Sequence, residues 1–346
     1  MNAIIMAGGE GTRLKRVTGD LPKPMAPLVG KPLLEHILFW LRRNGVREAC
    51  ITLRYRPEVI RDYFGDGSRF GMRLCYHVED APLGTAGGVK ACAAFYGRRD
   101  FLVLSGDAAC DFDLRALMEA HRRHRPAVTM ALYPHATPLQ YGTVLTQRDG
   151  QIVSFIEKPD WGRVVSDLVN TGVYAVSPEA MALVPEGRSC DFGKDLFPAL
   201  LAAGQSLFGL PLDGYWCDIG TPRAYYQCNL DALDGKLRLD VPACDPPAAP
   251  QQAEARGHGA QVECVCHSRA RLMRELSQTL MEAGADFSDG VSLHGTDGAI
   301  RIAPSPEREA VEISADADTP EAADALAHDY AALVRRVAEL SQPAPE

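Results

Sequence analysis

The sequence lacks the long apolar and long basic runs that place a chain in a membrane or on nucleic acid. No segment approaches the ~20 consecutive apolar residues that a membrane-spanning helix needs. The formal net charge is −9, which disfavours nonspecific binding to nucleic acid but leaves room for a local basic cleft that binds phosphates. No positively charged stretch precedes an apolar one at the N-terminus, so no signal peptide is expected.

Two common phosphate-binding patterns are also missing. Neither G-x-x-x-x-G-K-[S/T] nor G-x-G-x-x-G occurs, which argues against a P-loop and a dinucleotide-binding fingerprint. The ten cysteines are irregularly spaced, and without a signal peptide they predict reduced thiols in the cytoplasm. The sequence Cys264-Val-Cys266-His267 fits no usual zinc spacing, and its alternation favours a strand.

What is present predicts an α/β fold. With 346 residues, 46% of them hydrophobic, the chain is long enough for two domains with a sizeable main core. Apolar segments typical of buried strands, such as residues 3–7 (AIIMA) and 101–105 (FLVLS), alternate with amphipathic segments such as residues 31–45. This alternation predicts a mostly parallel sheet with helices packed on it.

The first 32 residues contain the densest cluster of candidate ligand-binding residues. Residues 8–14 read GGEGTRL and residues 21–32 read LPKPMAPLVGKP. A glycine-rich turn after a strand can expose several N–H groups to phosphate oxygens, Arg13 adds a fixed positive charge, and the prolines around Lys23 restrict its backbone. The alternative is a tight turn with two solvated basic residues.

Acidic residues at two strand ends add a second candidate cluster. Asp107 follows a buried strand, where open α/β sheets bind ligands, while Asp218 lies before a proline-started helix and has the alternative role of its N-cap. Glu79 precedes LGTAGG, a predicted strand-to-helix turn with helix from Val89 onward. A carboxylate there can accept two hydrogen bonds from guanine; the alternative is a solvated loop acid.

Together these stretches resemble the sugar-1-phosphate nucleotidyltransferases (nucleotide-sugar pyrophosphorylases). Residues 141–142 (YG), 157–159 (EKP), 170–174 (NTGVY) and 216–222 (WCDIGTP) recur in the family in this order. The resemblance covers about residues 1–236 and is nearest to bacterial mannose-1-phosphate guanylyltransferases fused to a phosphomannomutase-like part. Arg16 is a departure, since the family often has proline there.

The resemblance implies a three-layer αβα, Rossmann-like (GT-A-like) domain with a mostly parallel sheet over residues 1–236. Residues 237–260, rich in proline, alanine and glutamine, predict a linker. Residues 261–343 resemble the last domain of phosphohexomutases, a small α+β domain. The mutase phosphoserine loop and its D-G-D-x-D-R metal loop are absent from the sequence, so mutase activity is not expected, and residues 1–236 are expected to keep transferase activity alone.

The resemblance also assigns roles to individual residues. The residues implied in catalysis are Arg13, Lys23, Asp107 and Asp218. Those implied in nucleotide binding are Ala7, Gly8, Gly9, Gly11, Thr12, Arg13, Glu79, Pro82, Gly84 and Thr85. Those implied in sugar-phosphate binding are Gly142, Glu157, Lys158, Asn170 and Thr171. Asp107 and Asp218 are the implied ligands of Mg²⁺.

The implied reaction transfers a nucleotidyl group from an NTP, with GTP expected, to a sugar 1-phosphate, with mannose 1-phosphate expected. Glucose or heptose 1-phosphate with dTTP, UTP or GTP is one alternative, and a non-catalytic regulatory protein that binds nucleotide or sugar phosphate is another. The expected partners are the NTP and the sugar phosphate, with neither nucleic acid nor membrane. A homo-oligomer and a separate phosphohexomutase partner both stay open.

Overall fold

The structure is a computed structural model, and it describes most of the chain. The described residues are 1–239, 258–266, 269–281, 285–286, 290–295, 298–305, 308 and 310–340. Residues 240–257 of the predicted linker, residue 267 of the cysteine-histidine sequence and residues 341–343 of the predicted C-terminal domain therefore lie outside the described residues.

The strands of the described residues follow the predicted alternation with helices in the first two thirds of the chain. They are β1 Asn2–Met6, β2 Pro27–Leu28, β3 Lys31–Pro32, β4 Glu48–Leu53, β5 Arg73–Val78, β6 Phe101–Ser105, β7 Ala108–Cys110, β8 Val128–Pro134, β9 Gly142–Thr146, β10 Ile152–Glu157, β11 Leu168–Val176, β12 Leu207–Pro211, β13 Trp216–Asp218, β14 His258–Val265, β15 Val291–Gly295, β16 Gly298–Pro304 and β17 Ala310–Ala317.

The α-helices lie mostly between these strands. They are α1 Lys15–Thr18, α2 Leu33–Arg43, α3 Pro57–Phe64, α4 Gly84–Ala91, α5 Ala93–Tyr96, α6 Leu114–His124, α7 Phe197–Ala202, α8 Pro222–Leu233, α9 Arg269–Leu280 and α10 Pro320–Leu340. Of the helices that the structure describes, none is both long and apolar enough to cross a bilayer.

The chain divides into two compact units, and the first contains most of the central sheet. Within the described residues it comprises Met1–Tyr133, Thr146–Ile152 and 171–239. Its strands follow the order β12-β8-β11-β6-β1-β4-β5, with β1, β4, β5 and β6 parallel and β11 antiparallel to β6. The central strands are buried along their length, as expected for a sheet covered on both faces.

The second unit contains a separate antiparallel sheet. It comprises Pro134–Leu145, Val153–Asn170 and the described residues from 258 to 340. Its sheet has the order β14-β17-β16-β15, in which neighbouring strands pair antiparallel, and α9 and α10 pack on it. The predicted α/β class with a mostly parallel sheet is confirmed, as is the α+β character of the C-terminal part.

The predicted start of one helix is wrong. Helix α4 begins at Gly84, not at Val89, so the glycines of LGTAGG lie inside the helix. A side chain at Gly84 would place its Cβ 2.6 Å from the carbonyl oxygen of Cys190, and one at Gly87 would lie 3.0 Å from that of Arg188. The glycines are therefore required because another backbone segment packs directly on this helix.

Candidate active site

Two acidic residues that are far apart in sequence meet at a short β-ladder in the first unit. Asp107 immediately precedes β7, and Asp218 is the last residue of β13. The two strands pair antiparallel with Asp218 opposite Ala108, and the N–H of Ile219 donates to the carbonyl of Asp107 over 3.4 Å. This pairing brings both carboxylates to the same end of the ladder.

The ammonium of Lys23 lies between these carboxylates. Its Nζ donates to Oδ2 of Asp107 over 2.9 Å and to Oδ1 of Asp218 over 2.7 Å, and its side chain is only 8% exposed. Lys23 begins a 3₁₀ turn, Lys23–Met25, that follows Pro22. Because proline fixes its own φ and restricts the residue before it, the Pro-Lys-Pro sequence leaves the lysine backbone few alternatives.

The three charges perturb one another. Burial alone lowers the pKa of Lys23, but the charges of Asp107 and Asp218 outweigh it, so that this pKa is raised. Burial and the charge of Asp107 raise the pKa of Asp218, against the opposing effects of Lys23 and Arg13. The cluster is a partly desolvated site with one cation shared by two carboxylates, the kind of environment found where charged ligands are processed.

Asp218 is not the N-cap of the helix that follows it. The hydroxyl of Thr221 accepts the N–H of Ala224 over 3.2 Å and caps α8. The carboxylate of Asp218 is turned instead toward Lys23.

The glycine-rich loop forms one wall of a cleft above this cluster. The cleft has a volume of about 220 Å³ and is lined by Met6, Ala7, Gly9, Gly11, Thr12, Arg13, Lys23, Pro24, Asp107 and Gly220. Gly11 has φ +67°, and a Cβ there would lie 2.7 Å from Cβ of Lys23. The loop therefore needs glycine at this position for its conformation and for its contact with Lys23.

Arg13 and Asp218 converge on Gly220, which the sequence analysis missed. A Cβ on Gly220 would lie 3.0 Å from Nη2 of Arg13 and 3.0 Å from Oδ2 of Asp218. The signal was present in the sequence, since Gly220 is the glycine of WCDIGTP, but its role depends on an approach of Arg13 that only the fold shows. The N–H of Ala7 donates to the carbonyl of Thr52 over 3.0 Å, so this predicted nucleotide-binding residue uses its backbone donor within the sheet.

The two carboxylates have the donor set that suits Mg²⁺. They converge on one point, because oxygens of both lie within hydrogen-bond distance of the same nitrogen. Among the residues that the structure describes, no group of three or more His, Cys, Asp or Glu side chains could hold a metal ion. Mg²⁺ is commonly held by one or two carboxylates together with substrate phosphates and water, so a two-carboxylate site fits this ion better than a fully protein-ligated one.

Glu79 lies beside the start of the glycine-rich loop. Its Oε2 accepts the N–H of Leu83 over 3.2 Å, and its Oε1 is 3.8 Å from the position of a Cβ on Gly8. A Cβ on Gly88 would come within 2.5 Å of Oε1. Glu79 also lines a neighbouring cavity of about 440 Å³ in the same unit. One carboxylate oxygen thus holds the turn before α4, and the other lies near Gly8.

The remaining predicted residues around α4 are placed on its outer surface. Pro82 and Thr85 are exposed. The N–H and hydroxyl of Thr85 both donate to Oδ1 of Asp191, over 3.0 and 3.1 Å, and its Oγ1 accepts the N–H of Phe192 over 2.9 Å. Thr85 therefore links α4 to the segment at Asp191.

Four of the predicted sugar-phosphate residues lie in the second unit. Gly142 begins β9 and Glu157 ends β10, and a Cβ on Gly142 would lie 2.9 Å from Oε2 of Glu157. Lys158 is exposed, with φ +45°, and its N–H donates to the carbonyl of Tyr141 over 3.0 Å. Asn170 is half-buried near the start of β11.

Thr171, the fifth, belongs to the first unit and serves the fold there. Its side chain is buried, and its hydroxyl donates to the carbonyl of Ala131 over 2.8 Å. Its own carbonyl accepts the indole N–H of Trp216 over 3.0 Å. In this structure Thr171 is a buried link between β11, β8 and β13, not a group that presents its hydroxyl to a ligand.

Comparison with known proteins agrees with this geometry. The profile of the family described as "Nucleotidyl transferase" matches residues 2–235. A UTP–glucose-1-phosphate uridylyltransferase of Synechocystis sp. is 35% identical over 71% of this chain and 67% of the relative. A mannose-1-phosphate guanylyltransferase of Mycobacterium tuberculosis is 32% identical over 85% of this chain and 79% of its own length.

A solved structure shares the fold. HddC from Yersinia pseudotuberculosis, crystallised with GMP-PN, superimposes with a TM-score of 0.58 and 27% identity, over 67% of this chain and 99% of that protein. The family profile covers more than half of the present sequence, and both relatives are named as nucleotidyl-transferring enzymes. The chain therefore belongs to the nucleotidyl transferase family and is a nucleotidyltransferase enzyme.

Proposed function

We propose that this enzyme transfers GMP from GTP to mannose 1-phosphate, giving GDP-mannose and pyrophosphate. The broader activity, nucleotidyl transfer to a sugar 1-phosphate, is common to the relatives of this chain. The observation that carries the proposal is the cluster in which Lys23 bridges Asp107 and Asp218 beside Arg13 and the glycine-rich loop. A cleft with these groups suits a chain of phosphates and a divalent cation.

The reaction requires positioning and neutralisation of charge more than a protein nucleophile. A phosphate oxygen of the sugar 1-phosphate attacks the α-phosphorus of the NTP, forming the new P–O bond. The bond from the α-phosphorus to the bridging oxygen breaks, and pyrophosphate leaves with the electron pair. Arg13 stabilises the charge that develops on the α-phosphoryl oxygens and on pyrophosphate, and Lys23 contributes positive charge at the same phosphates.

Asp107 and Asp218 would hold Mg²⁺, which supplies charge neutralisation at the phosphates of both substrates. The ammonium of Lys23 donates a hydrogen bond to each carboxylate. The cluster therefore keeps two acidic side chains together in a partly buried site without leaving either unpaired, which would be costly.

Two considerations support the choice of GTP. The Oε1 atom of Glu79 lies near Gly8, at the start of the phosphate-binding loop. A carboxylate at the base edge accepts two hydrogen bonds from guanine, while adenine presents a repulsive acceptor at N1, and uracil and thymine offer a single donor. The mycobacterial relative is also named as a guanylyltransferase.

The choice of mannose 1-phosphate rests on sequence similarity alone. Glu157, Lys158, Gly142 and Asn170 are proposed to bind the sugar phosphate, with Lys158 at its phosphate. Glucose 1-phosphate with UTP is the second candidate, because the relative from Synechocystis is named for that reaction.

A screen of pyrophosphate release tests the proposal. The full chain is assayed with Mg²⁺ and five nucleotides (GTP, ATP, CTP, UTP and dTTP), each paired with mannose, glucose and heptose 1-phosphates. We expect the highest kcat/KM for GTP with mannose 1-phosphate, with GDP-mannose confirmed by mass spectrometry. A preference for UTP or dTTP with glucose 1-phosphate would overturn the substrate assignment, and nucleotide binding without product from any pair would favour a non-catalytic sensor.

A further inference from the structure

The segment that follows the proposed sugar-phosphate residues enters the core of the C-terminal domain. Trp161 and Val164 are 1% and 2% exposed, and they share one buried cluster with side chains of the C-terminal sheet and helices, including Leu276, Ile302 and Val334. All of these residues belong to the second unit. The segment thus contributes two of its own side chains to a core otherwise built from residues 260–337.

Trp161 buries a large side chain for such a short segment. A buried tryptophan removes roughly 150–250 Å² from water, which makes it one of the strongest single hydrophobic contacts. Its Nε1 is buried and has no hydrogen-bond partner among the residues that the structure describes. An indole N–H is usually paired when buried, so the side chain is held here for its packing area and at some cost.

Trp161 lies in a tight turn that begins two residues after Lys158. The carbonyl of Asp160 accepts the N–H groups of Arg163 and Val164 over 3.0 and 3.1 Å, which fixes Trp161 within a closed turn. Lys158 itself has φ +45°. A non-glycine residue in this region is strained and persists only where its surroundings determine its conformation.

A second segment of the same unit also holds the loop. The carbonyl of Tyr141 accepts the Lys158 N–H over 3.0 Å, and the N–H of His135 donates to the carbonyl of Asp167 over 2.9 Å. The rings of His135 and Tyr141 meet edge to face with centroids 4.9 Å apart. Burial, with a contribution from the nearby Arg269 of α9, lowers the pKa of His135 to about 4. The loop is therefore held by the segment of residues 134–145 as well as by the C-terminal core that buries Trp161.

We propose that the C-terminal domain (residues 258–340) positions the Glu157–Lys158 loop through Trp161 and thereby sets the affinity for the sugar 1-phosphate. This inference rests on the proposed function of the loop. Trp161 is a positioning residue: it acts through the backbone of residues 158–161, which carries the ammonium of Lys158. The domain has no chemistry of its own in this role, in agreement with the missing mutase loops.

Kinetics of full-length variants test the inference. With the sugar 1-phosphate that the wild type turns over best, Trp161→Ala should raise KM for the sugar phosphate by roughly tenfold or more, while KM for the NTP stays within about twofold. Trp161→Phe, which keeps an aromatic ring in the core, should lie near the wild type. Leu276→Ala is the matched control, because it removes a fully buried side chain of α9 in the same core but does not belong to the loop.

Hydrogen exchange gives a readout that needs no activity. Peptides covering residues 157–167 should exchange faster in Trp161→Ala than in the wild type or Leu276→Ala. If Trp161→Ala leaves both this exchange and the sugar-phosphate KM unchanged, or if Leu276→Ala changes them equally, the inference is wrong. A wild type that forms no product with any substrate pair would overturn the proposed function instead, and the exchange comparison would still decide whether Trp161 fixes the loop.

Discussion

At the scale of single residues, the central feature is a cation held between two acids. Two carboxylates that contact the same ammonium group lie close enough to repel each other, and burial adds to the cost of keeping both ionised. The ammonium of Lys23 offsets that repulsion through two short hydrogen bonds. Both carboxylates are thereby held together at the site that we propose for the phosphates and a divalent cation.

Neutralising either carboxylate should weaken this site. We expect Asp107→Asn and Asp218→Asn each to lower kcat by roughly 100-fold or more, because each removes a charge from the site proposed to bind the reacting phosphates. The fold should survive, since both side chains are partly exposed and asparagine is of similar size. The measurement is turnover at saturating substrates with Mg²⁺.

Asp113→Asn is the control for this pair. Asp113 caps α6 through hydrogen bonds to the N–H groups of Arg115 and Ala116, and asparagine caps helices about as well as aspartate. The control should therefore keep wild-type turnover. If Asp107→Asn and Asp218→Asn also kept it, the two acids would not be the metal and phosphate site.

Glu79 offers a test of nucleotide choice. In Glu79→Gln, the amide oxygen can still accept the N–H of Leu83, as Oε2 does now, while the amide NH₂ replaces the acceptor Oε1. Guanine would then meet a donor with its own donors, so the preference for GTP over ATP and UTP should fall by ~1–3 kcal/mol. The ratio of kcat/KM values for the three nucleotides measures this change.

The neighbouring Asp80→Asn serves as the matched variant for Glu79→Gln. Asp80 is exposed on the same loop, and its substitution makes the same change in charge. It should leave the nucleotide preference intact. An equal loss of preference in both variants would point to the overall charge of the loop and would remove the direct role of Glu79.

Sequence motifs were enough to name most of these residues but not to place them. Asp107 and Asp218 follow from residue type and motif, whereas their adjacency depends on the β7–β13 ladder, a pairing between distant segments that no local periodicity encodes. The N-cap of α8 is Thr221 and not Asp218, although both residues precede that helix. Trp161 belongs to none of the sequence motifs, and its burial depends on the C-terminal core.

At the scale of elements, the glycine-rich loop packs against the side chain of Lys23. Gly11 combines a left-handed backbone with direct contact to the lysine stem. We expect Gly11→Ala to lower the melting temperature and also turnover, because the new methyl group adds a clash with Lys23 to the conformational cost of about 1–2 kcal/mol.

Gly204→Ala separates the two effects. Gly204 has φ +68°, almost the same as the +67° of Gly11, but no atom lies within 4 Å of a Cβ built there. It should lose stability without losing turnover. If both variants lose turnover equally at a temperature where both are folded, the contact with Lys23 does not contribute to turnover.

The elements also show where sequence patterns fail. The strands β1 and β6 and the helix α2 lie close to the segments that the hydrophobic pattern predicts. The start of α4 was misplaced because three glycines normally interrupt a helix. Here the close approach of the backbone around Cys190 excludes side chains, so tertiary packing overrides the local preference.

At the scale of the whole molecule, the residues proposed to bind the two substrates belong to different units. The cleft and its charged cluster are built entirely from residues of the first unit. Glu157 and Lys158 belong to the second unit, together with the C-terminal domain. The second unit therefore combines segments that are far apart in the chain. The domain boundary expected from sequence, at residue 236, would separate the Glu157–Lys158 loop from the core that buries Trp161.

Removal of residues 240–346 should therefore affect the two substrates differently, and not leave activity intact as the sequence alone indicates. The nucleotide dissociation constant, measured by calorimetry, should stay within about threefold of the full chain, since the cleft is complete without the C-terminal domain. The sugar-phosphate KM should rise by roughly tenfold or more, because Trp161 and Val164 lose the core that buries them. The control is the full chain cut at a protease site introduced within residues 240–257, which breaks the connection but retains the domain. If a soluble truncation has the KM of the full chain, residues 1–239 hold the loop by themselves. If the cut chain behaves like the truncation, the loop requires the covalent connection and not the packing around Trp161.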